Sequence, residues 1–136
     1  MHAALALVVA LVQVAPPPVP LRAGQPIAWE TLPPLPYRNV PELTPAIVAF
    51  VTGEVQSGRC RPNLAGPGKR AMQVDIAVLV TPEHGARVTI PRAIDCPTVE
   101  QYAAGLVLSF ARNNLSPRTT FATAWYRATM TFEWPG

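Results

Sequence analysis

Charged side chains are scarce in this chain. Asp, Glu, Lys and Arg supply 14% of its 136 residues, and the net charge is only +3. The basic residues are scattered, with Arg59, Arg61, Lys69 and Arg70 forming one loose cluster, which reads as a solvated loop and not as a nucleic-acid footprint. Histidine is nearly absent: His2 falls in an apolar leader, and His84 stands beside Glu83 in a turn. A nucleophile would need such a base together with an orienting carboxylate in a rigid pocket, so the reading is of a non-enzyme. Asp95 reads more simply as a polar junction residue near a helix N-terminus than as an acid paired with Asp75. Two cysteines with distant histidines make no zinc pattern, and no glycine-rich loop is present to cradle phosphate, so no metal or cofactor is expected. Long apolar runs are missing too. The segment from Ala3 to Val12 is half the length of a membrane-spanning helix, which needs about 20 apolar residues.

What is present falls into three parts. Residues 1–15 match the apolar core of a signal peptide, or a short anchor if the leader is retained. Residues 16–45 hold ten of the 17 prolines and read as a polyproline tether, with a reach of about 90 Å when extended. Trp29, Leu32 and Tyr37 are unusual in a bare linker, and they are expected to fold back onto the domain that follows, residues 46–136.

Within that domain, Thr44 can cap a short helix from Pro45 to about Val55, with Ile47, Val48 and Val51 on one face. The run AMQVDIAVLV alternates with a period of two, placing Val74, Ile76, Val78 and Val80 on one side of a strand. TPEHG is a tight connection in which Gly85 can take a positive φ, and ARVTIPRAI returns as the second strand of a hairpin. Pro91 lacks an N–H, so this second strand belongs at an edge or is bulged there. Thr98 and Gln101 have the spacing of a capping box. Beyond them, Val99, Tyr102, Ala103, Leu106, Val107, Phe110 and Ala111 repeat as the buried face of a long amphipathic helix. WYRATMTFEW alternates again and closes the chain as a third strand. The expected class is α+β: a short helix, a β-hairpin, a long helix and a C-terminal strand, forming a three-stranded antiparallel sheet packed on the helix.

The stretch VDIAVLVTPEHGARVTIPRAIDCPTVEQYAAGLV, the closing ATMTFEW, and the leader followed by a proline-rich segment together resemble the TonB family of energy transducers. The likeness covers roughly residues 41 to 134 and lies in the C-terminal domain of that family. The family usually has Ser-Ser-Gly and then Leu-Asp at the junction into the helix; here it reads Ala93-Ile94-Asp95-Cys96-Pro97. The resemblance implies a periplasmic interaction domain, soluble after leader cleavage or anchored at the inner membrane. Such a domain couples inner-membrane motor proteins to outer-membrane receptor transport by capturing a receptor peptide as an added strand. The candidate edge is the last strand, with Trp125, Arg127, Thr129, Thr131 and Glu133 bordering the partner. Equally compatible is an edge that is protected or pairs with a second copy, as in an exported structural protein with no transport role.

In an exported protein, Cys60 and Cys96 suit a single disulfide, which would pin the loop before the first strand to the junction before the long helix. The alternative is a pair of buried free thiols.

Overall fold

The computed structural model describes residues 3–4, 8–11, 26–60 and 70–134. The signal-peptide or anchor reading of residues 1–15, the extended reading of residues 16–25, and most of the loop between Cys60 and the first strand lie largely or wholly outside those residues. Among the described residues, no helix is long and apolar enough to cross a membrane.

Thr44 stops the preceding chain in an extended conformation and accepts a hydrogen bond from the Ile47 N–H at 3.3 Å, and Pro45 occupies the first helical position, where a missing N–H costs nothing. The resulting helix, α1 (Pro45–Gln56), buries Val51 completely and Glu54 almost so. Strand β1 (Ala71–Thr81) follows, then β2 (Gly85–Pro91), helix α2 (Pro97–Ala111) and β3 (Ala124–Glu133). Short 3-10 turns at Trp29–Thr31 and Pro117–Thr120 complete the list. The sheet order is β2-β1-β3, both pairs antiparallel, so the most apolar strand lies in the middle. The architecture is the α+β arrangement expected.

Alternation sorts the sheet into two faces. Met72, Val74, Ile76, Val78 and Val80 of β1 join Ala128, Met130 and Phe132 of β3 beneath the helices, where Val99, Ala103, Val107 and Ala111 of α2 meet them. Each of these valines removes enough apolar surface from water to contribute roughly 1.5–3 kcal/mol. The opposite face is not fully solvated: Ala77 and Leu79 are buried there as well. Beside Ala77, whose partner in β3 is Arg127, residues N-terminal to α1 reach this face. Trp29 is nearly buried, its carbonyl accepts from the Arg127 guanidinium at 3.1 Å, and the Arg92 guanidinium lies 5.5 Å from its ring centroid, within cation–π range. Leu35 joins the main core. The second half of the proline-rich segment therefore packs on the domain and does not extend away from it, because its few large apolar side chains find unoccupied sheet surface.

Gly85 takes φ +69° in the hairpin turn, as its lack of a side chain allows. β2 is bulged at Arg87: Leu79 faces Val88 while Val80 faces Ala86. Pro91 sits last in β2 on the outer side of the sheet. The neighbouring Arg92 N–H bonds inward to the Asp75 carbonyl at 2.8 Å, so alternation aims residue 91 outward, where the absent N–H leaves the ladder intact.

One local expectation is corrected. Thr98 and Gln101 do not form a capping box. The helix starts two residues earlier, with Cys96 at the cap position and Pro97 as its first residue, and the Glu100 carboxylate reaches back to accept from the Cys96 N–H at 3.0 Å and the Ile94 N–H at 3.2 Å. Thr98 instead donates to Glu54 of α1 at 2.9 Å. Cys96 is held in place by its bond to Cys60, across 36 residues of sequence, and closing that loop stabilises the fold by roughly 3 to 4 kcal/mol in the chain-entropy model. The same junction carries an ion pair, Arg59 to the buried Glu54 at 2.7 Å.

Candidate functional site

A three-stranded sheet has two outer edges, and the geometry of β3 decides which of its backbone groups are available. The Trp134 N–H bonds to the Arg70 carbonyl at 3.0 Å, so the even-numbered residues of β3 carry the ladder to β1. In an antiparallel pair the intervening residues aim their N–H and C=O groups the other way. Those are Trp125, Arg127, Thr129, Thr131 and Glu133, the positions expected from sequence to border a partner.

The structure divides this row in two. At Arg127 the outward groups are occupied by the chain itself: the Arg127 N–H donates to the Pro33 carbonyl and the Leu35 N–H donates to the Arg127 carbonyl, both at 2.8 Å, as a short parallel bridge centred on Pro34. Proline is tolerated at position 34 because that residue's own N–H would face away from β3. The bridge goes no further because the chain turns at Pro36. The Tyr37 N–H returns to the Leu35 carbonyl at 3.0 Å, and the Ser116 N–H takes the Pro36 carbonyl at 2.8 Å. Arg127 is thus removed from the expected partner-binding row. Trp125, at the start of the strand, is partly buried, and its indole N–H is buried with no hydrogen-bond partner among the described residues.

Thr129, Thr131 and Glu133 remain exposed, and their outward backbone groups meet no other backbone among the described residues. The Thr129 hydroxyl donates to the Asp75 carboxylate at 2.8 Å, on the face away from the helices. On the helix side, this stretch of edge is bordered by apolar surface that sequence reasoning did not find. A hollow of about 230 Å³ between the edge and residues 37–43 is walled by Val40, Pro41, Leu43 and Phe110. Leu43 also lines a neighbouring groove of about 640 Å³ with Val48, Thr52 and Trp134. Phe110 and Val48 carried a sequence signal as members of helical faces and Trp134 as the last member of the alternating run, whereas Val40, Pro41 and Leu43 carried none. Tyr37 also lines the hollow, and burial raises the pKa of its hydroxyl. Among the described residues, no three His, Cys, Asp or Glu side chains gather as a metal site.

No family model, curated protein or solved structure matches the chain.

Proposed function

We propose that the chain is a protein-interaction domain that takes up an extended partner segment along Thr129–Glu133 of β3. The observation that carries this reading is a run of outward-facing, unpaired backbone groups beside an apolar hollow. Main-chain hydrogen bonds along such an edge supply affinity, and alternate side chains of the added strand enter the adjoining hollows and supply selectivity. By its resemblance to TonB proteins, the partner is a receptor peptide at the outer membrane, and the domain works in the periplasm together with inner-membrane motor proteins. The bridged first half of the edge supports a second reading in which the domain is an exported structural protein, and its free half pairs with a second copy.

Photo-crosslinking from position 131 of the full chain in the cell envelope separates these. An adduct with an outer-membrane receptor, lost when Thr129 is changed to Pro, is expected for the transducer. An adduct of twice the chain mass supports self-pairing, and the absence of any adduct overturns strand addition. Intact mass of the envelope-associated protein adds the second axis, because a soluble chain lacking the leader removes the anchored role.

A further inference from the structure

At the end of the domain remote from Glu133, the hairpin turn, the C-terminus of α2 and the chain around Arg38 enclose an open cleft of about 810 Å³. Three arginines line it, each from a different element: Arg38 from the segment before α1, Arg87 from β2 and Arg112 from the end of α2. All three residues are exposed, and none makes an ion pair among the described residues. For Arg112, the usual service to a helix C-terminus is largely taken by other groups. Arginine near a helix C-terminus often serves its free carbonyls, but here the Ser109, Phe110 and Ala111 carbonyls already accept from the Arg112 N–H, the Asn114 side chain and the Asn114 N–H. Arg87 is the extra residue of the β2 bulge, a device that re-aims a side chain out of the regular alternation. Among the described residues, Glu83 is the only carboxylate in the lining, which leaves the cleft with an excess of two positive charges before His84 is considered.

We infer that this cleft binds a phosphate monoester, carried either on a soluble molecule or on a lipid headgroup. Guanidinium groups pair with phosphate oxygens through parallel N–H···O bonds, and donors arriving from three directions suit a tetrahedral group better than a planar carboxylate. A phosphate monoester carries about −1.5 to −2 at neutral pH, which balances the cleft, whereas one carboxylate leaves it positive. Leu108 and Ala86 give the cleft an apolar wall against which the remainder of such a ligand can rest.

The site is distinct from the β3 edge, and its test does not depend on strand addition. The full chain is titrated with glycerol 3-phosphate, and separately with vesicles of phosphatidylcholine containing phosphatidic acid, at constant ionic strength, while amide resonances are followed. Saturable shifts at Arg38, Gly85, Arg87 and Asn113 are expected, weakened about tenfold in an Arg87→Gln, Arg112→Gln double variant whose remaining spectrum is unchanged. Saturation by glycerol 3-phosphate identifies a soluble ligand, and saturation by vesicles alone identifies a membrane-displayed one. Shifts that sodium sulfate or acetate reproduces at the same concentration, or that persist in Arg38→Gln as well as the double variant, overturn the inference.

Discussion

The two outer edges of the sheet are both open to solvent along part of their length, yet they are guarded by different means. The β2 edge is protected by its own sequence: it is short, bulged at Arg87, and ends in a proline whose missing N–H faces outward. The β3 edge is longer and regular, and among the described residues its only backbone guard is borrowed from residues 33–35, which cover Arg127 and then turn away. An edge guarded from within cannot be opened without changing the strand. One guarded by a separate segment has a boundary set by where that segment leaves, and here the boundary falls between Arg127 and Thr129.

The largest break in this comparison comes from placing proline on adjacent residues of β3. Met130→Pro removes an N–H that bonds to β1 and a buried side chain, and a loss of about 5 kcal/mol is expected, read as collapse of the urea midpoint. Thr131→Pro removes an outward N–H instead; it is expected to cost less than about 1 kcal/mol while abolishing strand addition. Similar losses for the two variants would contradict the assigned alternation.

Next is the bridge at the exit of β2. Replacing Cys60 and Cys96 together by Ala is expected to lower stability by roughly 3 to 4 kcal/mol in denaturant titrations, without shifting the β3 edge. Leu35→Ala tests the borrowed guard: a loss of about 3 kcal/mol is expected, with faster hydrogen exchange at the Arg127 amide and little change at Arg92. Equal acceleration at both amides would mean that the segment supports the whole sheet and does not guard one edge.

The smallest effect is alkaline. Burial raises the Tyr37 pKa, so the folded state holds this proton more tightly than the unfolded chain does. The associated stability is fully present below the unfolded value of about 10 and is lost as pH rises through the higher folded value. A Tyr37→Phe variant is expected to flatten the stability curve above pH 10 and to leave it unchanged at neutral pH.

Much of this was legible in local pattern. Thr44 before Pro45, the alternating valines of β1, Gly85 in the turn and the helical repeat from Val99 to Ala111 each act within a few residues, where sequence spacing translates directly into geometry. Alternation along β3 sorts its side chains between two faces, but which backbone groups turn outward is set by the pairing with β1, so the candidate edge rested on the family resemblance. Its half-closure was not legible, because Pro33–Leu35 has no periodicity and its partner Arg127 lies over 90 residues away. The start of α2 was misread because the residues that decide it, Cys96 held by Cys60 and Glu100 reaching back to Ile94, act through a covalent link and a long side chain. The approach of Trp29 to the far face, through the Arg127 guanidinium, is another distant contact.

The Cys60–Cys96 bond also sets how the molecule would carry a mechanical load. Tension between the N-terminal segment and the end of β3 passes through α1 to Cys60, crosses the sulfurs, and continues from Cys96 along α2. Everything between the two cysteines, including β1 and β2, belongs to a closed covalent ring that stays slack. About 120 Å of contour is thereby withheld from extension, so the central strand can be sheared away from β3 by such a pull but cannot itself be drawn out.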